Sequence, residues 1–401
     1  MQMEFDFTTV LDRLGKDALA VDVMPYDNVQ IREGFTKLPM WVADMNFATV
    51  PTVQEEIIRR VQHPTFGYYT PRQEYYDAIA YWHAARKGVA DVKKEYLGHE
   101  NGVLGGVSSA LQAFTLPGEA VLLHAPCYVG FVGVVDGCGR KAVYSPLKKD
   151  ENGVWRMDYE DMDRRIKENH IHFAIFCSPH NPCGRVWEKW EIEKAMEIYR
   201  ENQCIVVSDE IWSDLILDGH THTPTQSISE DAKMRTIAFY APTKTFSLAG
   251  LTTSYHVVYN PYLRDRLEKA GSLSHYNSMN VLSMYALIGA YSETGLRWVN
   301  ELCHVLTENA AYACDYIDAH FKGVSVARPQ GTYMLYLDAH EWLKEHHCDM
   351  DSLLRKGAEV GVIWQDGRGF KVPDTIRLNL ALPLSQVKEA MDRLDKYVFN
   401  A

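Results

Sequence analysis

The sequence predicts an α/β protein: a mostly parallel central sheet with helices on both faces, followed by a smaller α+β domain. Three observations predict it. Short apolar, β-rich runs recur from residue 120 to 259, several without polar alternation, as expected of strands covered on both faces. Helical stretches lie between several of them, and strand–helix–strand repetition implies parallel pairing. After residue 273 the texture changes to long helical patterns with two isolated strand-like runs.

Taken in order, residues 1–45 show no sheet pattern of their own and read as an arm packing on the C-terminal domain. Residues 52–61, after Pro51, and 73–86 have helical spacing. The strands expected next are 120–124 (AVLLH), 142–144, 173–177 (FAIFC), 205–208 (IVVS), 236–240 (TIAFY) and 255–259 (YHVVY), with a helix at 187–202. Residues 46–280 form the expected large domain. Residues 281–401 form the small one, with helices at 281–291, 296–321, 349–360 and 386–397 and strands at 331–338 and 374–382.

Composition limits the function. The 401 residues are 46% apolar and 23% charged, ordinary for a packed globular chain. Lys+Arg 41 against Asp+Glu 53 gives −12, which argues against a general nucleic-acid or anionic-membrane surface. No apolar run is long enough to span a bilayer. The opening MQMEFDFTTVLDRLG is acidic and lacks a signal-peptide core, so a cytoplasmic protein is expected. The eight cysteines are scattered without a C-x-x-C pair and read as mostly buried thiols.

Ligands of a parallel sheet bind beyond the carboxyl ends of its strands. The residues following the strands here are Tyr128, Asn181, Asp209 with Ile211 and Trp212, and Lys244. Each alone has a bland reading as loop packing, a turn, a helix cap or a solvated charge. Together they deliver an aromatic, an amide, a carboxylate and a lysine to one edge. Before them, Asn101-Gly-Val103-Leu104-Gly-Gly leads into a helical run at 109–114, and glycine-rich backbone at a helix start suits a phosphate. This set fits pyridoxal phosphate chemistry: a lysine for the aldehyde, a carboxylate for the ring nitrogen, an aromatic cover and an anion cradle.

Two local patterns are decoys. His340-Glu-Trp-Leu-Lys344 lacks the second histidine of a zinc helix, and Gly137-Cys-Gly139 precedes a strand instead of opening a helix after one. His170/His172 and His220/His222 have no third ligand nearby in sequence, so no metal is expected.

The motifs LPMWVADMNF, FGY, NGVLGGVSSAL, HAPCY, SPHNPCGRVW, SDEIWSDL, APTKTFSLAGL, GTYMLYLD and IRLNLALP, in this order, span nearly the whole chain. In them the sequence resembles fold-type I pyridoxal-phosphate enzymes of the aspartate-aminotransferase-like fold. Among these it is most similar to the class I/II aminotransferase-related cystathionine β-lyases of the MalY/PatB type. The resemblance implies pyridoxal 5'-phosphate as cofactor. Lys244 would be its Schiff-base lysine and proton shuttle, Asp209 the partner of its ring nitrogen, and Asn181 the donor to its phenolic oxygen. Tyr128 would stack on the ring, and backbone N–H groups of Val103 and Leu104 would take the phosphate. Ile211 and Trp212 would be further cofactor contacts. Arg377 would hold the substrate α-carboxylate, Ala43 would lie over the substrate, and Tyr68 would reach the partner's site in a homodimer.

The chain departs from the family pattern at several positions: Asn46 where Asp is usual, Trp212 in place of a Tyr or His, Ala241 in place of a phosphate-binding serine, and Thr252 in place of an arginine. The less cationic phosphate site favours β-elimination from an L-cysteine thioether such as cystathionine. The alternatives are transamination of a non-dicarboxylic amino acid with the same residues, and a non-catalytic regulatory protein on this fold. The last predicts loss of the lysine or its acid partner, and both are present.

Overall fold

The structure is a computed structural model that describes residues 3–273 and 277–400. Its centre is a seven-stranded sheet. The strands are β1 (Leu97–Glu100), β2 (Ala120–Ala125), β3 (Lys141–Pro146), β4 (Phe173–Cys177), β5 (Ile205–Asp209), β6 (Thr236–Tyr240) and β7 (Ser254–Val257). Their spatial order is β1-β7-β6-β5-β4-β2-β3. The pairs from β6 through β3 are parallel, and β7 runs antiparallel between β6 and β1.

Alternate strand residues serve opposite faces. Val121, Leu123, Ile175, Val207 and Ile237 pack against Val107, Ala110 and Leu111 of helix α1 (Gly102–Phe114). Leu122, Ala174, Phe176 and Val206 face Ile192, Ala195, Met196 and Tyr199 of α2 (Lys189–Glu201). Each buried Val, Leu, Ile, Phe or Met among them contributes about 1.5–3 kcal/mol by leaving water. Phe173–Cys177 is buried at every position, which explains its unbroken apolar sequence.

Two findings refine the expectation from sequence. The helix expected at 109–114 begins at Gly102, so Gly105 and Gly106 lie inside it. A Cβ on Gly106 would stand 2.3 Å from Phe239 Cε1, so the glycine lets the helix approach β6. Strand β1 was not foreseen, because Leu-Gly-His-Glu carries neither an apolar run nor β-branched residues.

The C-terminal part is built on a four-stranded antiparallel sheet in the order β8 (Ser325–Val326), β9 (Met334–Asp338), β11 (Thr375–Asn379), β10 (Gln365–Asp366). The long helix α3 (Glu293–His320) starts at Ser292, whose side chain accepts from the Gly295 N–H. It buries Trp298, Leu302, Val305, Leu306, Asn309, Ala313 and Ile317, a stripe of three- and four-residue steps. The N-terminal arm is attached to this part: Leu38–Pro39 pairs in parallel with Val362–Ile363.

A seam joins the loop after β4 to the segment entering β9. The Gly184 carbonyl accepts from the N–H groups of Gln330 (2.8 Å) and Gly331 (3.0 Å). Gly184 has φ +64°, and a Cβ there would lie 2.6 Å from Pro329 Cβ, so only glycine fits. Arg185, paired with the buried Glu191, also donates to Gln330 Oε1 and ties the seam to α2.

Candidate active site

The strand register brings the site together. Cys177 pairs with Asp209, and Asp209 with Phe239, so the loops after β4, β5 and β6 leave the sheet level with one another. They open onto a cavity of about 320 Å³ at the start of α1. Its walls include Ala43, Val103, Leu104, Tyr128, Asn181, Asp209, Ile211, Trp212 and Lys244, which the sequence reading had singled out. Arg377, on β11, reaches the same place by donating from Nη1 to Asn181 Oδ1 at 3.0 Å.

Asp209 ends β5 and is buried. Its Oδ1 accepts from the Ile211 N–H at 3.0 Å, which orients the carboxyl. Among the described residues no cation pairs with it, and burial pushes its pKa up to about 7. Lys244 follows β6, and its Nζ donates to the Ala43 carbonyl at 3.0 Å. Burial, and next the Arg377 charge, bring its pKa down to about 8. The neighbouring Thr245 donates to Asp214 Oδ2 at 3.0 Å, and Asp214 forms a buried ion pair with Lys87. The lysine turn is therefore anchored from beneath.

Arg377 is buried with its guanidinium over the Phe370 ring, 5.0 Å from the centroid. Burial lowers its pKa to about 10. No carboxylate pairs with it among the described residues, and its Nε has no hydrogen-bond partner.

A strap, residues 40–45, bends at 41–43 and meets the cavity at Ala43, and each of its carbonyls is engaged. Met40 O accepts from the Asn379 N–H (2.8 Å), and Trp41 O from Arg377 Nη2 (3.1 Å). Val42 O and Asp44 O accept from Asn379 Nδ2 (2.8 and 2.6 Å), Ala43 O from Lys244 Nζ (3.0 Å), and Met45 O from Arg13 Nη1 (3.0 Å). Asn46 follows, with Oδ1 accepting from Arg13 Nη1 at 2.8 Å, so a carboxylate is not required there.

The start of α1 is open to an anion. Asn101 makes no side-chain cap bond, leaving the first-turn N–H groups around Val103 and Leu104 without intrahelical acceptors. Thr243 and Thr252 line the same end, and their hydroxyls make no protein hydrogen bond among the described residues. The sequence reading took Thr252 only as a missing arginine and did not single out Thr243, although its place beside the lysine was a signal. Trp212 packs edge-on against Tyr333 (centroids 4.7 Å apart), with no acceptor for its indole N–H among the described residues. Tyr128 stands edge-on to Phe131 (centroids 5.3 Å apart) at the cavity wall.

Tyr68 is not part of this cavity. It is fully exposed, close to the exposed Ile58, Val61 and Phe66 along the chain.

The groups left without a partner of opposite charge among the described residues match the expected cofactor and substrate. A buried acid lacks a cation, a helix start lacks an anion, a buried guanidinium lacks a carboxylate, and a lysine points between them. Pyridoxal phosphate supplies a ring cation, a phosphate and an aldehyde, so the residues present fit it.

Comparison with known proteins agrees. The aminotransferase class I and II profile matches residues 37–394. Cystathionine beta-lyase PatB of Bacillus subtilis (strain 168) is 32% identical over 361 residues, 89% of this chain and 91% of that protein. Protein MalY of Escherichia coli (strain K12) is 28% identical over 396 residues, 96% of this chain and 97% of that protein. The crystal structure of cystalysin from Treponema denticola, which contains a pyridoxal 5'-phosphate cofactor, superposes with a TM-score of 0.90 at 29% identity, covering 98% of this chain and 99% of that one. The fold is that of the fold-type I pyridoxal-phosphate-dependent transferases. By its sequence over most of its length and by the site its strand ends build, the chain belongs to the class I and II aminotransferase family.

Proposed function

We propose that the chain is a pyridoxal-phosphate-dependent carbon–sulfur β-lyase. Its substrate is cystathionine or a related L-cysteine S-conjugate, and with water the products are thiol, pyruvate and ammonia. The observation that carries the reading is a lysine, a buried unpaired acid and a buried unpaired arginine around one cavity, in a chain most of whose length matches cystathionine β-lyase PatB. The cofactor, when bound, supplies an electron sink for the substrate carbon.

Every other part falls to the chain. Lys244 would hold the cofactor and, once displaced by the substrate amine, take the Cα proton as general base. Asp209 would keep a proton on the ring nitrogen, held in orientation by the Ile211 N–H. Asn181 Nδ2 and the Trp212 indole N–H are donors available to the phenolic oxygen, and Tyr128 would cover the ring. Val103, Leu104, Thr243 and Thr252 would bind the phosphate without a side-chain cation. Arg377 would exchange Trp41 O for the substrate α-carboxylate, which its planar fork fits better than a lysine could. Ala43 would lie over the bound substrate. No arginine lines the cavity among the described residues, and Trp212, backed edge-on by Tyr333, offers an aromatic wall to a thioether.

The exposed Ile58, Val61, Phe66 and Tyr68 support a homodimer in which Tyr68 serves the partner's site. A cytoplasmic location belongs to the same reading.

The test is cystathionine with purified protein and no oxo acid. Equimolar pyruvate, ammonia and homocysteine are expected, and borohydride should fix a pyridoxyl group on Lys244. Product that forms only with an added 2-oxo acid, without thiol, would make the enzyme an aminotransferase. Tyr68→Ala and Lys244→Ala chains, mixed and reassembled, should recover activity if Tyr68 acts across the interface.

A further inference from the structure

Asp44 stands next to the carbonyl that holds Lys244, and nothing in the assignment above uses its side chain. Its Oδ1 accepts from Ser247 Oγ at 2.9 Å, three residues beyond Lys244. Its Oδ2 pairs with Arg13 of the N-terminal arm. Ser247 has φ +56°, a left-handed conformation uncommon for a residue with a side chain, and its hydroxyl makes this bond to Asp44. The strap and the lysine turn are thus stapled together twice, once by the reacting amine and once by Asp44.

The amine bond cannot persist through a reaction cycle, because Lys244 must leave Ala43 to hold the cofactor. The Asp44–Ser247 bond involves no reacting atom and can persist. We propose that Asp44 is a positioning residue of the reaction: clamped between Ser247 and Arg13, it keeps the Ala43 carbonyl beside the lysine, so that the amine displaced by substrate returns to this carbonyl with the proton it has taken. The inference rests on the reading of Lys244 as the reacting lysine.

The consequence is where the proton goes. The Cα–H bond breaks, its electron pair stays with the substrate carbon, and the proton joins the Lys244 nitrogen. The Cβ–S bond then breaks with its pair on sulfur, which takes up a proton from water to become the thiol, while the pair on Cα forms the Cα–Cβ double bond. No oxidant or reductant is needed. A proton delivered to the cofactor carbon instead would, with water, release a 2-oxo acid and leave the amino nitrogen on the cofactor, and turnover would stop until fresh cofactor or a 2-oxo acid is supplied. An ammonium drawn back to Ala43 is kept from that delivery. The charges facing Lys244 agree with this role: Arg377 opposes its proton, while Asp44 and Asp209 favour it.

Two variants separate charge from position. Asp44→Asn removes the charge, and Ser247→Ala removes the staple while keeping it. The first measurement is the rate at which apoprotein captures pyridoxal phosphate, followed by absorbance against pH. The wild-type inflection is expected near pH 8. Asp44→Asn should move it down by about one unit, as loss of a nearby opposite charge does. Ser247→Ala should leave it in place. The second measurement is the number of turnovers before activity must be restored with fresh pyridoxal phosphate. Both variants should lower it by about tenfold, a fraction of what a positioned acid–base group contributes.

A folded Asp44→Asn protein with the wild-type inflection and the wild-type number of turnovers would overturn the proposal. If that variant does not fold, Ser247→Ala with wild-type turnovers overturns it equally. Failure of the lyase reading is distinct: wild-type protein would release no thiol, while the capture inflection could still be read.

Discussion

Replacing Asp209 by Asn should make the cofactor-free protein more stable, although it removes the acid proposed to pair with the cofactor's ring nitrogen. In the apoprotein the Asp209 carboxyl is buried with one N–H donor and no cation, and its pKa stands at about 7 against an ordinary 3.8. The folded state therefore binds a proton that the unfolded chain has already released. Well below pH 3.8 both states are protonated and the group costs nothing, and at pH 4 the cost is still only about 0.6 kcal/mol. As pH rises the cost grows, and it saturates above about pH 7. The full difference of about three pKa units corresponds to about 4 kcal/mol at pH 8. Asn is the same shape and its Oδ1 still accepts from Ile211, so the substitution removes the charge cost and little else. Urea denaturation of both apoproteins at pH 4, 6 and 8, at one protomer concentration, should show the variant ahead by up to that amount at pH 8 and nearly level at pH 4. With saturating pyridoxal phosphate the ranking should reverse, since the ring cation stabilises the carboxylate and not the amide. An apo variant no more stable than wild type at pH 8 would refute the reasoning.

Other substitutions test the framework around the site. Arg377→Lys keeps a charge but loses the fork, and should lower kcat/KM by about 100-fold, the equivalent of two to three kcal/mol, in steady-state assays. Lys87→Met leaves Asp214 buried without its cation and should cost about 3–5 kcal/mol in equilibrium unfolding. Gly106→Ala drives a methyl group into Phe239 and should cost about 1–3 kcal/mol by the same measurement, with a visible shift of α1.

Much of the site was legible because a parallel sheet converts sequence position into place. Once 173–177, 205–208 and 236–240 are strands, the residues just after them share an edge, and Asn181, Asp209 and Lys244 do line one cavity. Tyr128 follows from the same rule. What stayed hidden depends on contacts between distant segments. The bond from Ser247 to Asp44 spans 203 residues and that from Lys244 to the Ala43 carbonyl 201, and neither leaves a periodic trace in the chain. The start of α1 was placed late because Gly105 and Gly106 look like loop residues until their packing on β6 is known. Strand β1 escaped because its polar residues are satisfied by tertiary partners: Glu100 is buried against His256 of β7. Tyr68 was chosen by resemblance, and an exposed aromatic acquires a role only from a surface outside its own chain.

The seam at Gly184 bears on how the two halves of the molecule can move. It fastens residues 330 and 331 to the loop that carries Asn181, and Asn181 in turn accepts from Arg377. Any swing of the C-terminal sheet must then pivot close to this line, as a door turns at its hinge post. Displacement in a rotation grows with distance from the axis. Arg377, beside the post and bonded to Asn181, would move little. The Arg377–Asn181 bond then keeps nearly the same geometry in open and closed forms. A hinge placed there lets the entrance widen for a bulky ligand while the guanidinium stays where Asn181 holds it.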